Sequence, residues 1–259
     1  MKKVLIIYPH GLGDCILATP ALREYKKTTG DFVAVALMSR LWKSEIFKNN
    51  PYVDEELYIC SDPWNDIDIK GEKIGFKGVV DFCNIYAKSN GYEEVIFVNH
   101  PKPEHKTIIT ARYLDVKLTD VHTEVYISNS DIQSAESFLS LNGFKEGSYG
   151  FIHTTTSLAS WKNVPDGFGE DWLRKNKKLN SFIEIGKNLQ YDSMNINSQF
   201  YIMKLASAVF LIDSVYFLAC CAMDKPVDFV HFFLGVNEYR RVGPLHEVPV
   251  TVNFEKIWD

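Results

Sequence analysis

The feature that most constrains this chain is a rhythm. Short apolar runs, each closed by Gly, Pro, His or Asp, alternate with stretches of helical spacing along its length. The first run, "KVLIIY", shows no polar alternation, the pattern of a strand buried on both faces in a parallel sheet. After a Pro-His-Gly turn, Ile16, Leu17, Ala21, Leu22 and Tyr25 follow helical spacing from about Asp14. Gly30 supplies a stop, and Pro20 must be absorbed near the first turn or as a kink. The alternation predicts further strands in "FVAVALM", "ELYIC" and "EVIFVNH", and helices in "RLWKSEIFKNN", within 72–90 and in "HKTIITARYL".

A helix at about 131–141 then ends at Asn142-Gly143, and the glycine-rich segment to Gly150 marks the expected domain boundary. The pattern restarts after it: strands in "YGFIHT", "SFIEIG", "AVFLID" and "PVDFVHFF", and helices near 167–177, in "QFYIMKLAS" and in "SVYFLACCAM". Strands alternating with helices of this length build parallel sheets covered on both faces. The expectation is an α/β protein of two Rossmann-like domains, 1–145 and 146–259, with a cleft between them. A length of 259 residues suits two such cores.

Composition narrows the function classes. The balance of 28 Lys+Arg against 33 Asp+Glu gives a net charge of −5, which argues against nucleic-acid binding. One basic patch, Arg174, Lys175, Lys177 and Lys178, reads either as a solvated helix end or as a docking surface for an anionic lipid or glycan. The apolar run after Lys2 and Lys3 is too short for a signal-peptide core, and "VFLIDSVYFLACCAM" is broken by Asp213 and falls short of a membrane span. The protein is expected in the cytoplasm, with at most peripheral membrane contact. Five cysteines with no Cys-x-x-Cys spacing read as reduced core thiols. His100 and His105 are the nearest thing to a metal-ligand pair, but Pro101 and Pro103 make that segment a loop, and no metal site is expected.

Ligands of open parallel sheets sit beyond the carboxyl ends of the strands. The chemistry-bearing residues fall there: His10 to Asp14, His100, His153 to Thr156, Gly186, and Asp213-Ser214. Gly11 and Gly13 lack the third glycine of a dinucleotide fingerprint, and neither a P-loop nor a Gly-x-Gly-x-x-Gly follows any strand, which argues against a nicotinamide enzyme. Two readings fit Asp14: a cap for the first helix, or a general base on a glycine-bent loop. Thr154, Thr155 and Thr156 with Lys162 offer hydroxyls and an ammonium suited to a phosphate, or form an ordinary Thr-rich turn. At "LIDSVYFL" a strand runs into a helix whose first amides attract an anion. Asp213 would repel one, so it more naturally caps or orients.

Taken together, "GLGDCILATPALREYKK", "NNPYVDEELY", "FIHTTTSLASWKNVP" and "LASAVFLIDSVYFLACCAMDKPV" resemble glycosyltransferase family 9, the lipopolysaccharide heptosyltransferases. The resemblance implies a GT-B fold and inverting, metal-independent transfer of a heptose-like sugar. The donor would be a nucleotide diphosphate sugar, ADP-sugar favoured, and the acceptor a glycan or lipid-linked saccharide, with no further cofactor. Carried over by position, it makes Asp14 the base, sets His10, Gly11 and Gly13 on the acceptor side, and gives the donor's diphosphate to Thr154, Thr155, Thr156, Lys162 and the backbone around Ser214. Gly186, with Glu184 or Lys187 beside it, would turn beneath the nucleoside. Val215 and Leu218 depart from the family's Gly and His, which motivates a second reading: a nucleotide-sugar-binding protein without turnover. Arg240 and Arg241 read as a surface pair or as contacts to an acceptor anion.

Overall fold

Val4, Leu5, Ile6 and Ile7 are all fully buried, as a central parallel strand requires. They belong to β1 (Lys3–Ile7), which pairs in parallel with β2 (Phe32–Met38) on one side and β4 (Glu94–Phe97) on the other; β3 (Glu55–Cys60) extends the sheet beyond β2. The order β3-β2-β1-β4 is Rossmann-like. A computed structural model describes residues 1–101, 104–155, 163–186, 194–232, 240, 243, 245–246 and 250–253.

Helix α1 (Leu12–Thr29) ends at Gly30, whose φ of 68° is the left-handed stop expected there. Pro20 lies inside it and cannot donate to the Ile16 carbonyl four residues back. The Thr19 hydroxyl donates to that carbonyl instead, at 2.8 Å. Helices α2 (Gly75–Ser89) and α3 (Lys106–Tyr113) complete the first unit, Met1–Tyr126. Val79, Cys83 and Ala87 of α2 pack on Leu5, Ile7, Ala36 and Met38 of the sheet. Full burial of each large apolar side chain contributes about 1.5–3 kcal/mol.

The helix expected at 40–50 does not form. A short 3-10 turn, Ser39–Leu41, leads into successive four-residue turns, with Glu45 and Asn49 in the left-handed region at φ 48° and 67°. Such residues interrupt a right-handed helix. The turns bury Ile46 and Phe47, and the Phe47 amide donates to the Glu56 carboxylate of β3 at 3.2 Å. Packing on the sheet outweighs helical periodicity here.

The second unit, Ile127–Asp259, carries the parallel sheet β6-β5-β7-β8-β9, built from β5 (Gly150–His153), β6 (Phe182–Ile185), β7 (Ala208–Ile212), β8 (Val227–His231) and β9 (Val250–Asn253). Among the described residues its helices are α4 (Asn129–Leu141), α5 (Phe168–Lys177), α6 (Ile196–Leu205) and α7 (Val215–Ala222). The composition-based boundary at 145/146 assigns α4 to the first domain, whereas contacts group it with the second. There α4 packs on α6, and the Asn195 amide donates to Asp131 at 2.7 Å. Strand β9 went unread in the sequence. The expected parallel strands and their covering helices are otherwise present, and all five cysteines are buried and unbridged. Among the described residues no helix is long and apolar enough to cross a membrane.

Candidate functional site

Asp14 stands at the third position of α1, and its carboxylate does not cap the helix: Gly11, at the N-cap, makes no side-chain cap bond. Among the described residues its one hydrogen-bonding partner is the Lys106 ammonium, which pairs with Oδ1. Lys106 opens α3 and reaches Asp14 because α1 and α3 pack together, with the Thr107 hydroxyl donating to the Leu17 carbonyl at 2.8 Å. Burial pushes the Asp14 carboxyl up. Lys106, with His10 and His100, more than offsets this and lowers it to about 2.

Both histidines belong to the same cluster. His10 is buried in the turn after β1, with Nε2 2.9 Å from the Val98 carbonyl, so that nitrogen is the donor. His100, beyond β4, sets Nε2 3.3 Å from the Tyr8 hydroxyl and 3.1 Å from the Thr110 hydroxyl. Each hydroxyl already donates its proton, Tyr8 to the Asp14 carbonyl and Thr110 to the Lys106 carbonyl, so His100 Nε2 must carry the hydrogen. The two imidazoles stack at 4.1 Å, with Tyr8 edge-on and the half-exposed Trp64 6.0 Å from His10. His105 goes elsewhere: its Nδ1 caps α3 by accepting from the Thr107 amide. The His100–His105 pair is therefore divided between two unrelated tasks.

One nitrogen of each of His10 and His100 and one oxygen of Asp14 lie within 4.8 Å of one another, close enough to raise the question of a cation. Imidazole lone pairs lie in the ring plane, and these planes are only 11° apart and stacked face to face. An ion shared by both would sit well out of at least one plane, and Lys106 already engages Oδ1 of the carboxylate. Among the described residues the three side chains are held by Lys106 at Asp14 Oδ1, the Val98 carbonyl at His10 and the Tyr8 and Thr110 hydroxyls at His100.

Gly11 has φ −72°, ψ 167°, and a Cβ there would meet nothing within 4 Å. Its backbone does not require glycine, and the space beside it is open. Gly13 lies inside the first turn of α1.

In the second unit, parallel pairing brings the carboxyl ends of β6, β5 and β7 side by side. The Thr154 hydroxyl donates to the Glu184 carboxylate at 2.5 Å, which ties β5 to β6 and commits its proton there. Gly186 has φ 93°, and a Cβ there would lie 2.7 Å from the Thr155 hydroxyl; both conformation and space demand glycine. The Thr155 and Ser214 hydroxyl oxygens are buried with no hydrogen-bond partner among the described residues. Ser214 precedes α7 without capping it, which leaves the first amides of that helix uncapped by its side chain. Val215 opens α7 and is partly exposed; Leu218 is buried. Asp213 is buried, its amide donating to the His231 carbonyl at 2.9 Å.

His153, which ends β5, lies with its ring 4.5 Å from that of Tyr216 and its Nδ1 unpartnered among the described residues. Burial lowers its pKa to about 3. A histidine held neutral in the fold but able to charge when unfolded adds stability that is complete above pH 6.5 and is lost as pH falls toward 3. Between pH 6.5 and 5 this amounts to about 2 kcal/mol. The expected result is a flatter fall of thermal midpoint with acid in His153→Gln than in the wild type; parallel curves would refute it.

Thr156, Lys162, Lys187 and Arg241 lie outside the described residues. Arg240 is exposed. Half of the basic patch is compensated: Arg174 pairs with Glu170 and Asp171, and Lys177 with Asp228. That favours the reading as a solvated helix end. Lys106 and Tyr8 were missed in the sequence. The one available signal for Lys106 was its place at the start of a helix just beyond a strand end.

Neither a protein-family model nor a curated protein matches the chain. Solved structures do. A glycosyl transferase family 9 structure from Veillonella parvula superposes with a TM-score of 0.71 at 14% identity, covering 97% of this chain and 85% of its own. The E. coli heptosyltransferase WaaC with ADP gives 0.60 at 14% identity, covering 97% and 93%. The E. coli ADP-heptose lps heptosyltransferase II gives 0.63 at 10% identity, covering 100% and 92%. At these identities the likeness establishes the fold: two Rossmann-like α/β units of the GT-B type.

Proposed function

We propose that this chain is a family 9 glycosyltransferase that moves a sugar from a nucleotide diphosphate donor to a hydroxyl of a glycan or lipid-linked acceptor, with inversion at the anomeric carbon. The observation that carries the reading is Asp14. A partly buried carboxylate beyond a strand end, unused as a cap and with Oδ2 free of hydrogen bonds among the described residues, can accept a hydroxyl proton. The Lys106 pair that keeps it ionised also makes it a weaker base. Asp14 takes the acceptor proton as the acceptor oxygen bonds to the anomeric carbon and the bond to the leaving diphosphate breaks. His10, Gly11 and Gly13 border the acceptor.

The diphosphate falls to the second unit. The Thr155 and Ser214 hydroxyls and the first amides of α7 supply donors to the leaving charge. Thr156 and Lys162, carried over from the resemblance, supply a further hydroxyl and a cation. Gly186 lies beneath the nucleoside, Thr154 and Glu184 brace the loop, and Asp213 orients it. In this scheme no metal takes part. A lipid-linked acceptor calls for peripheral contact with the inner face of a membrane. Both departures that motivate a binding protein without turnover stand: Val215 opens α7, and Leu218, which is buried, supplies no imidazole.

Thermal denaturation with ADP-, UDP-, GDP- and CDP-sugars tests the donor. ADP-sugars are expected to stabilise the chain, by about 2.7 kcal/mol at 100 times the dissociation constant. No shift with any of them sinks the reading, while a shift without transfer to any acceptor selects the non-catalytic alternative.

A further inference from the structure

We infer that Lys106 is the positioning residue of this site: its ammonium, delivered by the first turn of α3, fixes the Asp14 carboxylate through Oδ1 and leaves Oδ2 as the oxygen that meets the acceptor hydroxyl. The inference rests on the reading of Asp14 as the base and deepens it.

The geometry is specific. Lys106 and Asp14 are 92 residues apart and both largely buried, at 13% and 17% side-chain exposure. The Lys106 backbone is itself tied into the cluster, since its carbonyl accepts from the Thr110 hydroxyl, which in turn accepts from His100. The ammonium thus reaches Asp14 from a helix already anchored to the same network. It does not arrive as a mobile surface lysine settling on a nearby acid.

The chemical need is equally specific. A carboxyl in this position loses hydration, which favours the neutral acid, and a neutral acid cannot accept a proton. The groups that face Asp14 among the described residues are Lys106 from α3, His10 from the turn after β1, His100 from beyond β4, and Tyr8 and Cys15 from its own loop and helix. Burial and the Asp14 charge push the Tyr8 hydroxyl and the Cys15 thiol well up, so both stay neutral. The cation bonded to the carboxylate is Lys106. It keeps Asp14 ionised and, by engaging one oxygen, presents the other.

The test follows the Asp14 carboxyl carbon by NMR in the full chain as pH is varied, which requires neither donor nor acceptor. In the wild type the midpoint is expected at about 2. In Lys106→Met it should rise past the ordinary 3.8, and Lys106→Arg should return it below that value. Lys106→Gln, uncharged but still a hydrogen-bond donor, is the second variant should Lys106→Met fail to fold, and the same rise is expected. A midpoint unchanged in a folded, uncharged variant overturns the inference. With a donor in hand, kcat/KM of Lys106→Met should gain an acid limb that the wild type lacks above about pH 4; profiles of the same shape also overturn it. If the NMR shift appears but Asp14→Asn retains turnover, the base assignment fails and the ion pair stands. If Asp14→Asn abolishes turnover and the midpoint does not move, only the role of Lys106 fails.

Discussion

Replacing Asp14 by Asn is expected to lower sugar transfer by roughly 10²- to 10⁴-fold while leaving the stabilisation by a nucleotide sugar unchanged, because a positioned base contributes about that factor to the rate. Asn keeps the shape of the side chain and an oxygen for Lys106, and removes only the charge and the basic oxygen. The substitution also has a stability signature with a definite sign. The folded carboxyl titrates at about 2 against an ordinary 3.8, so its ionised form stabilises the fold above the ordinary value and that contribution is lost as pH falls toward 2. The variant should therefore be on the order of 2 kcal/mol less stable at pH 7, with the difference closing in acid. Turnover retained in the variant removes Asp14 from the chemistry; turnover and nucleotide stabilisation lost together points to misfolding rather than catalysis.

Arg23 is the position where the largest loss of stability is expected. It projects from α1, is only 4% exposed, and gathers Glu124 at 3.1 Å, the Asp120 carboxylate at 3.2 Å and the carbonyls of Asp120 and His122. These contacts bind the segment after α3 to the helix that carries Asp14. Arg23→Met keeps most of the apolar stem and strands the acids and carbonyls. Removing one partner of a buried ion pair costs about 3–5 kcal/mol. Asp120 is more than half exposed and keeps its water, which places the expected loss near the lower end, about 3 kcal/mol. Urea unfolding followed by circular dichroism measures it, and a change below about 1 kcal/mol would show that the clasp is replaced by solvent at little cost.

Much of the architecture was legible because burial on both faces leaves a direct trace in a parallel strand: "KVLIIY" after its first residue and "FVAVALM" throughout show no polar alternation, and both are buried over nearly their full length. Gly30 marked the end of α1 for a backbone reason that holds in any context, its left-handed φ. Periodicity misled at 40–50, where Trp42, Ile46 and Phe47 have helical spacing but the chain turns to bury two of the three, leaving Trp42 exposed. Strand β9 is four residues long and far from its pairing partner β8 in sequence, so little local pattern marks it. The strand-end position of His100 is legible in the sequence, but its pairing with His105 is not realised: its partners include Tyr8 and Thr110.

Two parallel α/β units, the strand-end location of Asp14, and a set of hydroxyls and amides at the second unit's strand ends can be read from residue order alone, because they follow from local period, turn chemistry and the rule that parallel strands present their carboxyl ends together. Tertiary structure decided what Asp14 is. Whether a first-turn aspartate caps its helix or faces an ammonium depends on what the sheet brings beside it. Pairing of β1 with β4 sets the segment after β4 next to the turn after β1, and the packing of α3 on α1 delivers Lys106 across 92 residues of chain. No local pattern encodes that meeting, since the energy that enforces it is burial of the apolar faces of the sheet and helices rather than attraction between the two charges.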